Sequence, residues 1–339
     1  MQRDRIGLED VARHDNLLLA TWKAARGKRH RAAVARFLDN LGRNLATLAE
    51  EILSERSPRG RARSFTIRDP KRRTITAACF ADRVLHHAIL NLAESRFERM
   101  LVESSYACRP GKGVHCAVLA VQRHVRRSDA LPWVVQVDVE NYFASIDHAI
   151  LESLLAQRFK GRPFLALLGR IIAAGGVATP GQGLPIGSLT SQHFANAYLD
   201  GADRFLLRHP GVGAHVRYMD DLVWWCPSRA AATETLEGLR AYLDRERKLA
   251  LKPSFHLGLS RRGIAYCGFR VRPGVVLPSS RKMTGYRAAL LRIEATLGTG
   301  EVTEASAQRA YDVASAALTG CQSIGFRRRL LGATLRCSS

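Results

Sequence analysis

The sequence predicts a mixed fold in which short β-strands alternate with longer α-helices, of the α+β or α/β type with helical additions. Apolar residues recur at steps of three and four in several long segments, and short β-branched runs lie between them. Hydrophobic residues make up 46% of the 339 residues, which is enough to bury a sizeable core and excludes a disordered basic tail. The length predicts about two structural units, or one larger fold of several parts.

The first hundred residues predict helices around a basic hairpin. Residues 32–53 carry apolar side chains at helical spacing, which predicts one amphipathic helix. Two alternating runs, 64–68 and 73–77, are separated by Asp-Pro-Lys at 69–71, a pattern typical of a β-hairpin with a basic tip. Apolar residues spaced through 84–92 predict the next helix.

The middle of the chain predicts a buried strand followed by two helices. Residues 133–139 form a short β-branched run, typical of a strand that is covered on its faces. Helices are predicted over 147–174 and 188–208, and a loop rich in glycine and proline joins them at 175–187.

The last third predicts further short strands and a helical end. Runs at 216–218 and 222–225 are two strands that meet at a pair of acidic residues. A helix follows over 229–247, and a hairpin is predicted from 264–271 and 275–277. The last sixty residues predict two or three moderately basic helices.

The charge balance predicts a polyanionic partner. Lys and Arg number 52 against 30 Asp and Glu, which leaves a net charge of +22. The ends are the most basic parts, since residues 1–73 carry 18 basic and 9 acidic residues and residues 281–339 carry 9 and 4. Nucleic acid is the expected partner; an anionic membrane surface and a codon bias toward Arg are the alternatives.

Cysteine usage and hydropathy predict a cytoplasmic protein. The seven Cys include no C-x-x-C pair, which argues against a disulfide framework or a zinc ribbon. No run of eighteen apolar residues exists, and the first residues lead into no apolar segment, so neither a membrane span nor a secretory signal is expected.

Three aspartates suggest the chemistry. Asp138 ends a buried apolar strand, whereas Asp220 and Asp221 lie between two short strands. Adjacent acids at a turn are by themselves typical of a solvated turn, but a carboxylate at the end of a buried strand needs a partner. If the two strands are neighbours, the carboxylates converge, and oxygen ligands without His or Cys favour Mg²⁺. Two such ions about 3.5–4 Å apart would support phosphoryl transfer.

The motifs around these aspartates resemble those of reverse transcriptases. Tyr-Met-Asp-Asp at 218–221 and Asp-x-x-x-x-Phe from Asp138 to Phe143 resemble the palm of these enzymes. The order and spacing of further motifs hold across about residues 63–280 and resemble bacterial, group II intron-like members. These further motifs lie at 82–87, 105–113, 183–192, 251–253 and 266–269.

The fourth motif, at 183–192, narrows the resemblance. Most reverse transcriptases have Gln where this chain has Ile186, and Pro where it has Gln192. The string Ile-Gly-Ser-Leu-Thr-Ser-Gln is similar to that of reverse transcriptases from diversity-generating retroelements. Such enzymes copy a template-repeat RNA with errors opposite adenine and work with a small basic protein, the accessory variability determinant.

The resemblance implies a right-hand polymerase fold. It implies an N-terminal basic helical extension over 1–62, fingers over 63–130, a palm with an antiparallel sheet over 131–280 and a helical thumb over 281–339. A segment at about 150–190 within the palm range would contact the fingers. The implied partners are template RNA, a DNA primer or cDNA, dNTPs and the accessory protein, and no membrane.

The resemblance also implies roles for individual residues. Asp138 and Asp220 would hold two Mg²⁺ ions, for which Mn²⁺ could substitute, with Asp221 and the Val139 carbonyl as additional ligands. The remaining implied roles fall into three groups, namely nucleotide binding, the primer grip and proton donation to pyrophosphate. The residues are Lys71, Arg73, Arg109, Phe143, Ile186 and Gln192 for nucleotide binding, Tyr266, Gly268 and Phe269 for the primer grip, and Lys252 for proton donation.

Two of these roles have a clear physical basis. Phe143 would act as a steric gate against the ribose 2′-OH that distinguishes RNA from DNA building blocks. Ile186 cannot donate or accept a hydrogen bond, and one missing oriented contact costs about 1–2 kcal/mol of discrimination. Alternative readings are a retron, abortive-infection or CRISPR-associated reverse transcriptase, or a catalytically idle RNA-binding module of polymerase-like fold.

Overall fold

A computed structural model describes residues 3–60, 62–68, 72–174 and 179–337. The predicted mixture of helices and short strands is confirmed. Lys71 and part of the predicted 175–187 loop lie outside the described residues, as does the side chain of Arg73. Within the described residues, no helix is long and apolar enough to cross a membrane.

Helices dominate the first half of the chain. A two-stranded hairpin lies between α4 and α5 in the chain, and a short N-terminal strand pairs in parallel with a later one. The elements are, in order, β1 (Asp4–Arg5), α1 (Leu8–Ala12), α2 (His14–Ala25), α3 (Ala32–Asp39), α4 (Leu41–Leu53), β2 (Ala62–Arg68), β3 (Arg72–Ala78), α5 (Phe80–Met100), α6 (Val114–Arg126), β4 (Trp133–Asp138), α7 (Tyr142–Ser145), α8 (His148–Ala156), β5 (Phe159–Lys160) and α9 (Arg162–Ala173).

The second half adds most of the strands and ends in helices. The elements are, in order, α10 (Leu189–Arg208), β6 (Ala214–Tyr218), β7 (Asp221–Cys226), α11 (Arg229–Arg247), β8 (His256–Leu259), a 3₁₀ turn (Ser260–Arg262), β9 (Ile264–Tyr266), β10 (Phe269–Arg272), β11 (Val275–Pro278), α12 (Ser280–Gly298), α13 (Glu304–Ala316) and α14 (Ile324–Cys337).

A four-stranded antiparallel sheet, which we call the central sheet, has the order β6-β7-β4-β8. Both faces are buried, as adjacent tryptophans on β7 show. Trp224 points toward α11, where its indole N–H donates to Thr235 (2.9 Å), whereas Trp225 points the other way and lies 4.9 Å from the ring of His124 on α6. The two inner strands, β4 and β7, are therefore largely apolar on both sides, which is why their sequences read as nearly continuous hydrophobic runs.

Three predicted elements are interrupted in the structure. The predicted helix over 32–53 is two helices that meet at Asn40, where the side-chain amide of Asn44 donates to the Phe37 carbonyl near the end of the first helix (2.9 Å). The predicted helix over 147–174 is broken at β5 and Gly161, whose φ of +97° suits glycine. The predicted strand over 264–271 is two strands, because Cys267 and Gly268 both have positive φ and reverse the chain.

The basic hairpin β2–β3 is confirmed and is longer than predicted, pairing from Ala62 with Ala78 to Arg68 with Arg72. It lies against the segment that precedes α10, because the Thr76 amide donates to the carbonyl of Ile186 (3.1 Å). The hairpin is therefore attached to the same loop that carries the fourth motif.

Candidate active site

The three predicted aspartates come together at one end of the central sheet. Asp138 is the last residue of β4 and lies directly opposite Asp221, the first residue of β7. Asp220 lies in the turn just before β7, and its carbonyl accepts a hydrogen bond from the Val139 amide (3.2 Å). The fold thus places a residue pair from distant parts of the sequence at one edge.

The turn that presents Asp220 is a two-residue hairpin loop. Tyr218 pairs with Asp221, which leaves Met219 and Asp220 as the connecting residues. Met219 has a φ of +57°, a left-handed conformation that costs an L-residue about 1–2 kcal/mol. A two-residue turn with an unusual backbone therefore sets the position of the acidic pair.

Burial and mutual repulsion perturb these carboxylates. Burial, and next the nearby Asp138 charge, raise the pKa of Asp221 to about 8. The Gln136 amide opposes this shift by donating to both Asp221 carboxylate oxygens (3.0 and 3.3 Å). The Lys252 ammonium lies 3.0 Å from Asp138 and supplies a positive charge at the other carboxylate.

The carboxylate oxygens of these aspartates are the kind of donor atom that a hard divalent cation binds. Two opposed carboxylates that are costly to ionise together would be relieved by a shared positive charge, and their oxygens are ligands that Mg²⁺ prefers. The side chains are not arranged as a finished ligand cage, since no group of three His, Cys, Asp or Glu among the described residues could hold a metal ion as it stands. The local chemistry fits the ion, whereas full coordination needs further ligands.

A backbone hydrogen bond connects Phe143 to the fourth motif. Phe143 is half-buried on α7, five residues after Asp138, with its ring edge-on to Tyr142 at 5.7 Å. Its carbonyl accepts from the Leu184 amide (2.7 Å). Ile186 lies two residues after Leu184 and is half-buried. The hydrogen bond between Phe143 and Leu184 therefore links the residue predicted as the gate to the motif that contains Ile186.

Gln192 and the residues around it are tied to α5. Gln192 is half-buried in the first turn of α10. The helix starts after Ser188, whose hydroxyl lies 3.0 Å from Nδ1 of His86. Burial, and next His87, lower the pKa of His86 to about 4, so the ring is neutral and acts as a hydrogen-bonding partner. The paired histidines at 86–87 indicate helix packing or RNA contact in the sequence, but no local pattern marks the Ser188 partner, which lies 102 residues away.

Arg109 has partners other than those predicted. Its side chain is almost fully buried, and each of its three nitrogens donates to the protein. Nε and Nη2 bind the Glu98 carboxylate (2.9 and 2.5 Å), and Nη1 binds the carbonyls of Val102 and Ser105 (2.5 and 2.7 Å). The Arg109 guanidinium therefore holds the chain segment that follows α5. Its nitrogens are already bonded within the protein, which does not favour the predicted contact with phosphate, and that contact stays a prediction.

Of the predicted primer-grip residues, Tyr266 and Phe269 are buried, whereas Gly268 lies in a turn. Tyr266 and Phe269 are each 1% exposed and pack in a second hydrophobic core with α6. Gly268, between them, has a φ of +79° and lies close to Lys282 on α12. The Cys267–Gly268 turn is thus the part of this segment that could meet a ligand, and the two rings support it.

Two residues near the aspartates were missed. Gln136 lies two positions before Asp138 on β4, so period-two alternation could have placed both on one face. Arg217 immediately precedes the Tyr-Met-Asp-Asp segment and is completely buried with Asp203. An Arg between Val216 and Tyr218 in a predicted strand was a visible signal, because a buried charge needs a counter-charge.

Comparisons with known proteins agree with this geometry. A family model described as reverse transcriptase (RNA-dependent DNA polymerase) matches residues 67–271, more than half of the chain. The group II intron-encoded protein LtrA of Lactococcus lactis subsp. cremoris is 27% identical over 143 residues, which are 41% of this chain and 23% of LtrA. Protein YkfC of Escherichia coli (strain K12) is 27% identical over 156 residues, 44% of this chain and 39% of YkfC.

A third relative is the uncharacterized 91 kDa protein in cob intron of Schizosaccharomyces pombe, 26% identical over 140 residues, 40% of this chain and 17% of that protein. The chain therefore spans less than half the length of each of these relatives. The family match includes Asp138, Asp220 and Asp221 and confirms the enzyme class predicted from the motifs. The chain belongs to the reverse transcriptase (RNA-dependent DNA polymerase) family.

Proposed function

We propose that this protein synthesises DNA on an RNA template by metal-dependent nucleotidyl transfer. The convergence of Asp138, Asp220 and Asp221 at one edge of the central sheet carries the proposal. A protein that only bound RNA would gain nothing from acids in its nucleic-acid cleft, because carboxylates repel phosphate.

Asp138 and Asp220 would hold Mg²⁺, with Asp221 and the Val139 carbonyl completing the oxygen ligands, and Mn²⁺ could use the same donors. When bound, two Mg²⁺ ions activate the primer hydroxyl and stabilise the leaving pyrophosphate. Asp221 would lose its proton as the positive charge arrives, because a nearby cation favours the ionised form and offsets the burial and the Asp138 charge that raise its pKa.

Lys252 has a second role in the proposal. Its ammonium now contacts Asp138 at 3.0 Å and is 31% exposed, so it can leave that carboxylate. Released from Asp138, it would lie near the departing pyrophosphate and donate a proton to it.

The polymerase subdomains are also part of the proposal. We assign residues 63–130 to fingers, 131–280 to a palm around the central sheet, and 281–339 to a helical thumb, after an N-terminal extension at 1–62. The hydrogen bond between Thr76 and Ile186 supports a segment of the palm range that contacts the fingers hairpin.

Phe143 would select dNTPs by excluding the ribose 2′-OH. The ring is half-buried, and the carbonyl of the same residue is fixed by Leu184, so the backbone beneath the gate cannot shift freely. A gate needs this kind of support, since discrimination is lost when the excluding group can move aside.

We further propose that the enzyme serves a diversity-generating retroelement. Ile186 and Gln192 support this assignment, because they replace the Gln and Pro of most reverse transcriptases. The cDNA would then carry errors opposite template adenines, the template would be a repeat RNA, and a small basic accessory protein would be a partner. Because both proteins would be basic, RNA is expected to bridge them.

Sequencing of cDNA from a defined RNA template tests this assignment. The wild-type protein should make errors mainly opposite adenine, and Ile186→Gln should lower them by about tenfold, the effect of one regained hydrogen bond. Ile186→Leu is the matched control, because it keeps an apolar side chain and should keep the parent error spectrum. Equal spectra for Ile186→Gln and the parent would reject the role of Ile186, and accurate wild-type cDNA would reject the retroelement assignment.

A further inference from the structure

A completely buried ion pair lies directly behind the turn that carries the acidic residues. The Arg217 side chain and the Asp203 carboxylate are both 0% exposed. Nε of Arg217 binds Asp203 at 2.7 and 2.9 Å, and Nη2 binds it at 2.7 Å, which is a two-pronged contact with fixed geometry. Asp203 lies on α10, so the pair fastens β6 to that helix.

The third guanidinium nitrogen reaches the turn itself. Nη1 of Arg217 donates to the carbonyl of Met219 (3.0 Å) and to the side-chain oxygen of Asn196 (3.0 Å). Asn196 is in turn held by its own amide, which donates to the carbonyl of Ala107 (2.7 Å). Asn196 is therefore fixed within the protein and supports Nη1.

The Met219 carbonyl controls the direction of the next residue. The peptide group between Met219 and Asp220 is planar, so fixing its oxygen also fixes its amide and the start of Asp220. Met219 has a positive φ, a conformation that the surrounding structure must maintain. The hydrogen bond from Arg217 is suited to maintain it.

Stability alone does not account for the pair. Replacement of a buried ion pair by well-packed apolar residues is often neutral or stabilising, so such a pair is weak evidence for a contribution to folding. What an apolar replacement could not supply is a donor aimed at the Met219 carbonyl. The strand backbone is separately anchored, since the Arg217 amide donates to the carbonyl of Ser104 (2.9 Å).

We propose that Arg217 is a positioning residue for metal binding: held by Asp203 and Asn196, its guanidinium orients the Met219–Asp220 peptide and thereby the Asp220 carboxylate. This inference rests on the proposed function, because it assumes that Asp220 binds Mg²⁺. Arg217 contacts neither substrate nor metal and acts only through the turn.

Mg²⁺ titration of the full chain tests the proposal with two readouts. One is the rise in Tm with Mg²⁺ alone, and the other is the Mg²⁺ concentration that gives half-maximal primer extension. Arg217→Lys keeps the charge but loses the forked donors, and both half-saturation concentrations should rise about tenfold, as expected for one or two lost buried hydrogen bonds.

Arg247→Lys is the matched control. Arg247 is also buried and its guanidinium also donates to backbone carbonyls, those of Tyr198 and Glu246 (2.9 and 2.7 Å), but it does not contact the turn. It should lower the Tm in chelator and leave both Mg²⁺ concentrations unchanged. This separates loss of stability from loss of metal positioning.

Asn196→Ala carries the test if Arg217→Lys does not fold. It leaves the Arg217–Asp203 pair intact and removes one support of Nη1, so the half-saturation concentrations should rise about two- to threefold. Mg²⁺ responses of Arg217→Lys and Asn196→Ala equal to those of the wild type would overturn the positioning role alone. A wild-type protein with neither Mg²⁺-dependent stabilisation nor primer extension would overturn the proposed function, and this inference with it.

Discussion

Asp138 and Asp221 lie directly opposite each other across β4 and β7, so two carboxylates share one rung of the central sheet. Like charges at such positions destabilise a sheet, and the pKa of Asp221 is accordingly raised to about 8 by burial and by Asp138. Lys252 at one carboxylate and Gln136 at the other soften the repulsion without removing it. The two carboxylates are thus costly to ionise together, and a divalent cation would offset that cost.

The first prediction concerns stability against pH in the presence of chelator. The folded state keeps the Asp221 proton up to about pH 8, whereas the unfolded chain loses it near pH 4. Between these values the folded state binds more protons, so the free energy of unfolding falls as the pH rises. Asp221→Asn should flatten this decline and raise the Tm by several degrees at pH 8, with little effect at pH 4. Parallel Tm–pH curves for mutant and wild type would contradict the buried repulsion.

A second prediction uses two glycines with the same backbone conformation. Gly268 and Gly274 have φ of +79° and +78°, but an added Cβ would lie 2.8 Å from Lys282 Cε at Gly268 and would meet nothing within 4 Å at Gly274. Gly274→Ala should cost about 1–2 kcal/mol for the positive φ alone. Gly268→Ala should cost more in urea unfolding, because displacing Lys282 would disturb its contacts with the Phe269 ring (4.3 Å) and the Ala317 carbonyl (3.0 Å), and it should also weaken use of the primer. Equal losses in the free energy of unfolding for the two variants would show that Lys282 on α12 can move away from residue 268 without cost.

The third prediction tests the proposed steric gate. Phe143→Ala should lower the preference for dCTP over rCTP by about tenfold or more, because the excluding ring is lost. Phe205→Ala is the control, since Phe205 is also half-buried but stacks on Tyr242 (5.2 Å) between α10 and α11. Unchanged discrimination in Phe143→Ala, measured as the ratio of kcat/KM values, would remove the gate.

Lys252 gives a fourth prediction that separates charge pairing from proton donation. Lys252→Arg keeps a positive charge beside Asp138 but is a poor proton donor, and Lys252→Met loses both functions. The single-turnover rate should fall about 100-fold in both variants if proton donation is the role. A Lys252→Arg enzyme with the wild-type rate would show that Lys252 acts only as a counter-charge.

Local sequence patterns were sufficient to predict the acidic residues of the site and the order of helices and strands. The acidic residues at 138, 220 and 221, the basic hairpin and the alternation of helices and strands all followed from spacing and from the cost of burying a carboxylate. The convergence of the aspartates was predicted only on the condition that their strands are neighbours. The pairing of β4 with β7 satisfies that condition.

Features that depend on tertiary partners were not predictable from periodicity. The edge strand β8 is only four residues long and pairs with β4 over a long sequence separation, so no local pattern marked it. The resemblance assigned Arg109 to phosphate, and its ion pair with Glu98 on the preceding helix, eleven residues away, was not visible in the local pattern. The counter-charge of Arg217 is likewise on another element, and only the three-dimensional structure identifies it.

Primer extension on a defined RNA template, with Mg²⁺ and dNTPs, is the most direct test of the central claim that the converged aspartates catalyse DNA synthesis. Asp220→Ala should be assayed beside the wild type, with Asp312→Ala as a control at an exposed acid in α13. We expect DNA product from the wild type and Asp312→Ala and none from Asp220→Ala. Product from Asp220→Ala equal to that of the wild type, or no product from the folded wild-type protein, would contradict the account.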